Sequence, residues 1–187
     1  MAIHPAQTVL LKTDEIVTVR SATPEDADSI LELARVTHED GEGAVSEADE
    51  FTSNADVFRR KITAATNHER KLVLVAARDD VIVGYLQFEA GMRRRLAHQG
   101  EFGLWVRPEW RSRGIGRVLL AALIAWAPTV GVERIGLTVI STASRALGLY
   151  ESLGFREEGR RVRQIKFAPD QYADQIHMVR FIETDAV

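Results

Sequence analysis

The stretch VRPEWRSRGIGRVLLAALIAWA, Val106 to Ala127, begins like the end of a strand and finishes as a long apolar helix. Between the two lie Arg111, Arg113 and Arg117, set around Gly114 and Gly116. The first N–H groups of a helix have no intrahelical partner, and the macrodipole makes that end partly positive. Glycines, lacking Cβ, let an anion come close to those groups. The combination predicts a phosphate or pyrophosphate site at a strand-to-helix turn, with the arginines adding positive charge. A plainer reading stands beside it, in which the glycines only ease a turn and the arginines are solvated. Two familiar phosphate loops do not fit. A dinucleotide fingerprint needs a third glycine where Leu119 stands, and a Walker loop needs Gly-Lys-Ser/Thr where the chain has Gly116-Arg117-Val118.

Outward from this turn the chain alternates strands and helices. EIVTVRSATPEDADSILELARVTH predicts a strand at Ile16–Arg20 and then a helix, with Thr23 as N-cap, Pro24 in the first helical position and acids in the first turn. Ile30, Leu31 and Ala34 would face inward. After the acidic, irregular segment of residues 39–54, Val57, Phe58, Ile62 and Ala65 mark a second amphipathic helix. KLVLVAARDDVIVGYLQFEA reads as a hairpin turning at Arg78–Asp80. A strand at about Glu101–Val106 leads into the arginine–glycine turn. RIGLTVI is a further strand, SRALGLYESLG a helix closed by Gly154, and GRRVRQIKF with DQIHMVRFI a final antiparallel pair. The expected fold is α+β, one domain over residues 16–187 around a mixed, mostly antiparallel sheet. Residues 1–15 are expected to form a flexible lead-in.

Composition narrows the classes of function. With 187 residues, 45% hydrophobic and 27% charged, the chain can bury a substantial core. A net charge of -3 gives no global attraction to nucleic acid or anionic membrane, so electrostatic specificity must be local. Cysteine is absent, which excludes disulfides, thiol nucleophiles and thiolate metal sites. The five histidines, His4, His38, His68, His98 and His177, show no metal-ligand spacing and are expected at the surface or in loops; no metal is expected. The clusters Arg93–Arg95 and Arg160–Arg163 lack the interleaved aromatics of a nucleic-acid surface and read as solvated faces. The amino terminus has no basic leader, and no window reaches the roughly 20 apolar residues of a membrane span. A cytoplasmic protein is the expectation.

The loop Arg111-x-x-Gly114-x-Gly116, strand before and helix after, resembles the signature of the GNAT superfamily of acyl-CoA-dependent N-acyltransferases. RALGLYESLGF, Arg145 to Phe155, is similar to that family's second motif. VRSATPEDADSILEL resembles its first strand and helix. The tail YADQIHMVRF is similar to members described as ribosomal-protein or small-amine acetyltransferases. The resemblance runs from about Ile16 to Ile182. It implies helices on both faces of a sheet splayed between its fourth and fifth strands, with acetyl-CoA as cosubstrate in the gap. One departure is Ala143, where the family often carries an asparagine.

On this resemblance Arg111, Ser112, Arg113, Gly114, Ile115, Gly116 and Arg117 would hold the pyrophosphate. Arg93–Arg95 could meet the adenosine 3′-phosphate. Backbone N–H groups of Leu104, Trp105 and Val106 would polarise the thioester. An amine would attack the thioester directly, in a ternary complex. Tyr150, at the family's tyrosine position, would protonate the departing thiolate; on its helix it also fits the apolar stripe Ala146, Leu147, Tyr150, Leu153. Glu101 is the candidate base, with Glu89 beside it as a second carboxylate. The acceptor would be a small-molecule amine or a protein N-terminus, with the acidic segment 39–54 steering a cationic one. Exposed terminal strands are compatible with a homodimer. The alternative reading is a non-catalytic acyl-CoA-binding or regulatory module.

Overall fold

A computed structural model describes residues 4–182. Eight strands form one open sheet: β1 (Gln7–Leu10), β2 (Ile16–Ser21), β3 (Lys71–Arg78), β4 (Val81–Ala90), β5 (Gln99–Val106), β6 (Arg134–Ile140), β7 (Arg156–Ala168) and β8 (Gln171–Phe181). Their order across the sheet is β1-β2-β3-β4-β5-β6-β8-β7. Every neighbouring pair is antiparallel except β5 and β6. The helices are α1 (Ala27–Asp40), α2 (Ala55–Thr66), α3 (Ile115–Trp126) and α4 (Ser144–Ser152).

The two-residue period of the strands divides the core in two. Leu72, Leu74, Leu86, Phe88 and Phe102 point to the α3/α4 face, where Leu119, Leu120 and Leu123 are buried against them. Val73, Val75, Ile82 and Tyr85 point the other way, under Ile30 and Leu33 of α1 and Phe58 and Ile62 of α2. Burying each such aliphatic side chain contributes roughly 1.5–3 kcal/mol, so each face is an independent hydrophobic anchor for its helix pair. In α1 the buried stripe is Ala27, Ile30, Leu33, Ala34 and Thr37. Leu31 lies at its margin, partly buried against the same cluster. Thr23 and Asp26 cap that turn, and Arg20 grips both Asp26 oxygens at 2.7 and 2.8 Å.

Two features differ from the expectation. Residues 7–10, within the expected lead-in, pair with β2 from Gln7↔Val19 to Leu10↔Ile16, and Leu11 behind them is buried. This strand adds one to the count, so the divergence of the sheet falls between β5 and β6. Long β7 forms the opposite edge beyond β8, which is threaded between β6 and β7. No helix among the described residues is long and apolar enough to cross a membrane.

Candidate active site

The parallel pairing of β5 with β6 is short: Gln99↔Arg134, Gly100↔Ile135 and Glu101↔Gly136. Beyond Glu101 the strands part, yet each keeps its outer neighbour. Phe102 to Val106 stay paired with β4 through Gly84↔Val106, and Leu137 to Ile140 stay paired with β8. The inner edges therefore carry backbone groups with no strand opposite. Arg107 N–H donates to Val83 O at 3.0 Å. Alternation along an antiparallel pair then turns the N–H groups of Gly103 and Trp105 toward β4, and those of Leu104 and Val106, beyond the last pair with β6, into the gap. Of the three residues expected to present N–H groups, Leu104 and Val106 do so. Trp105 reaches the gap with its ring, which lies back over Gly103: a Cβ added there would stand 2.7 Å from the indole.

A cleft of about 470 Å³ follows this divergence through the sheet. On the α3/α4 side its walls are Ile115, Gly116, Ala146 and Tyr150; on the α1 side they are Thr37, His38 and the loop Glu42–Ser46. Gly103, Leu104, Trp105 and Val106 line its waist, and Arg111, Ser112 and Gly114 its mouth.

The start of α3 is fixed from behind. Arg107, largely buried, donates from Nε to Ile82 O at 2.8 Å and pairs with Glu32 at 3.1 Å. The chain then turns through left-handed backbone at Ser112 (φ 60°) and Gly114 (φ 110°), and alternate left-handed residues of this kind build anion-binding concavities. The first helical bond is Val118 N–H to Gly114 O at 3.1 Å. The N–H groups of Ile115, Gly116 and Arg117 precede it and have no intrahelical acceptor. The two glycines are needed for different reasons. Gly114 supplies the positive φ, whereas a Cβ on Gly116 would lie 2.8 Å from Leu149 Cδ2 of α4. Ala143 takes the N-cap position of α4 and offers no capping side chain.

The three arginines are engaged within the protein. Arg111 bonds Asp40, and Glu42 at 2.9 Å. Arg113 pairs with Glu15 and lies 5.0 Å from the Trp110 ring centroid. Arg117 donates to Ser152 Oγ at 2.7 Å. The hydrogen bond from Arg111 holds the Asp40 carboxyl below the usual carboxylate range. Positive charge at the helix entrance is thus partly offset by carboxylates at the end of α1 and just after it, which the sequence places 71 and 69 residues away.

Tyr150 is buried on α4, its ring edge-on to Phe102 (5.8 Å) and Phe155 (6.0 Å). It packs in the core and lines the cleft at once. Burial pushes its phenol up to about 12, and its hydroxyl makes no hydrogen bond to protein among the described residues. Glu101 sits elsewhere. It is exposed at the last paired position of β5, in unbroken register with Glu89, and lines a separate hollow with Lys61 and Lys71. Lys71 bonds Glu89 there at 2.6 Å. Arg93–Arg95 line a third surface hollow with Leu96 and do not reach the cleft. Thr37 and His38 are among the cleft residues that sequence reasoning passed over. Thr37 continues the buried stripe of α1 by the 3.6-residue period, and that spacing could have pointed to the end of α1.

Comparison with known proteins agrees with this architecture. Residues 28–155 match the model of the Acetyltransferase (GNAT) family. An L-amino acid N-acetyltransferase of Escherichia coli is 32% identical over 108 residues, 57% of this chain and 66% of that protein. A ribosomal protein bS18-alanine N-acetyltransferase of Salmonella typhimurium is 45% identical over 56 residues, 30% of this chain and 38% of that protein. The chain thus spans less than two thirds of the length of either relative. The crystal structure of a GNAT superfamily phosphinothricin acetyltransferase from Sinorhizobium meliloti in complex with AcCoA shares the fold, with a TM-score of 0.77 at 22% identity over 89% of this chain and 88% of that one. With the family model covering most of the chain, and the split sheet and phosphate-loop turn in place, the protein belongs to the GNAT acetyltransferase family.

Proposed function

We propose that the protein transfers an acetyl group from acetyl-CoA to a primary amine by direct attack within a ternary complex. The observation that carries this reading is the cleft that crosses the sheet where β5 leaves β6. It brings a phosphate-loop turn, gap-facing N–H groups and Tyr150 to one cleft.

The chain's groups fit the donor. The entrance of α3, from Arg111 through Arg117, matches a pyrophosphate by its N–H groups, its left-handed turn and its arginines. The gap-facing edge of β5 matches an extended amide-bearing arm, which would hydrogen-bond to Leu104 and Val106 as an added strand does. The same N–H groups stabilise negative charge on the carbonyl oxygen as the amine adds. Tyr150, a phenol and so neutral at physiological pH, gives its proton to the sulfur as the C–S bond breaks. No covalent enzyme intermediate is required.

The acceptor class proposed is a small amine or amino acid, with a protein N-terminus as the larger member of the same chemistry. The relatives named for L-amino acids and for a ribosomal-protein alanine support that range. The acidic steering expected from sequence is narrowed by the ion pairs, because Asp40 and Glu42 are engaged with arginines. An acceptor screen reading free thiol, followed by initial rates with both substrates varied, tests the proposal. Lines that intersect in the double-reciprocal plot are expected; parallel lines would indicate an acyl-enzyme and overturn direct attack.

A further inference from the structure

We propose that His38 is the general base that takes the proton from the attacking amine; the inference rests on the reading above. The cleft has a wall on each face of the sheet, and the phosphate-loop turn leads into α3 of the α3/α4 wall. A donor anchored there leaves the α1 side to the acceptor. His38 stands on that side, in the last turn of α1, and lines the cleft across from Tyr150. An acid on the sulfur side and a base on the amine side is the division that acetyl transfer needs.

The ring is set for the work. Nδ1 lies 2.8 Å from Ala34 O. A carbonyl oxygen can only accept, so Nδ1 carries the hydrogen and, in the neutral ring, Nε2 holds the lone pair. Nε2 has no protein hydrogen-bond partner among the described residues. Phe51 packs against the ring at 4.4 Å between centroids and restricts its rotation. Glu101, the base expected from sequence, lines a different hollow.

The charged groups around His38 come from several elements. Glu42, Arg111 and Arg145 line the same cleft, and Glu42 is paired with both arginines. Arg35, Glu39 and Asp40 share its helix, with Asp40 bound to Arg111. Asp49 and Glu50 are exposed on the 3-10 turn next to Phe51, and Tyr150 of α4 lines the same cleft. The step balances as follows. The amine nitrogen forms the C–N bond as its proton passes to Nε2, directly or through one water. The C–S bond breaks as the Tyr150 proton passes to sulfur. His38 then loses its proton to solvent, and the Tyr150 oxygen regains one.

Two variants separate base from scaffold. His38→Asn retains a donor for Ala34 O, and His38→Gln retains bulk against Phe51; neither can take up the proton. Nitrogen-15 NMR of the free protein should show His38 as the Nδ1–H tautomer. In kinetics, with kcat/KM referred to the neutral form of the acceptor amine, the wild-type value should fall on the acid side as one group of the enzyme protonates. Both variants should lose that limb and about 10²-fold or more in rate, with cofactor affinity retained. Glu101→Gln should keep the limb. An Nε2–H tautomer, a limb that survives in both His38 variants, or a limb lost in Glu101→Gln would each overturn the assignment. Wild-type protein that transfers no acetyl group to any amine would overturn the underlying reading as well, and only that outcome would.

Discussion

Glu42 bridges two arginines that line the cleft, Arg111 of the phosphate-loop turn at 2.9 Å and Arg145 of α4 at 3.4 Å. Asp40 joins it on Arg111. The α1–α2 loop is thereby strapped to the cofactor side by carboxylates that sit where a phosphate would be attracted.

The first prediction follows from that competition. Asp40→Asn with Glu42→Gln frees Arg111 and Arg145 for the donor's phosphates. An exposed ion pair is worth about 0.2–1 kcal/mol, so coenzyme A affinity should rise by up to about fivefold. Its dependence on salt should also steepen. Calorimetry at two ionic strengths reads both. Unchanged or weaker binding would mean that the arginines do not serve the phosphates.

The strap should respond to acid in a defined direction. The Asp40 carboxyl is held below its usual range by Arg111, so its stabilising contribution is complete above the unfolded-state pKa and is lost as pH falls through the folded value. Proteolysis of the 41–46 loop should therefore accelerate in acid in the wild type. The Asp40→Asn variant should be more susceptible at neutral pH and show a weaker pH dependence.

Gly114 and Gly116 should fail differently. Gly114→Val forces a β-branched residue to φ 110°, and the distorted turn should lower cofactor affinity at least tenfold, about 1.4 kcal/mol. Gly116→Val meets Leu149, so overpacking of about 1–3 kcal/mol should lower Tm. Leu149→Ala should restore part of that loss. Calorimetry and thermal unfolding of the three variants check the distinction, and a Gly116→Val protein of unchanged Tm would contradict it.

Tyr150→Phe keeps the ring packed on Phe102 and Phe155 while removing the proton. General acid catalysis is typically worth ~10² to 10⁴ in rate, so kcat should fall by about that factor and acceptor KM far less. Because burial raises the phenol to about 12, wild-type activity should show no loss from Tyr150 ionisation through pH 10. Stability carries the same sign: the neutral phenol's contribution is intact below the unfolded pKa and is lost as pH rises through the folded one. Wild-type turnover in the Phe variant, with chemistry rate-limiting, would remove the acid role.

Much of the fold was legible because periodicity reports burial directly. The two β-rich runs around the turn in Lys71–Ala90, the apolar run of α3 and the RALGLYESLGF helix each gave their element within a few residues. The turn at Arg111–Gly116 was legible because positive φ and close packing both demand glycine. Long-range choices were not. Nothing local in β5 says that its pairing with β6 ends at Glu101, which moves Glu101 out of the cleft and opens it beyond. Nor does local sequence show that Arg111 meets Asp40 and Glu42, since those ion pairs depend on how α1 lies across the sheet. His38 was passed over because a lone histidine at a helix end looks like surface until the fold brings Tyr150 opposite.

The most direct test of the central claim follows the acetyl group itself. Protein is mixed with carbon-13 acetyl-CoA, first alone and then with an amine panel including amino acids, and both the chain and the small molecules are analysed by mass spectrometry. The account predicts a chain of unchanged mass in both cases, with the label on the nitrogen of an added amine and free thiol released in equal amount. Cofactor that binds but is never consumed above background, whatever amine is supplied, would contradict it.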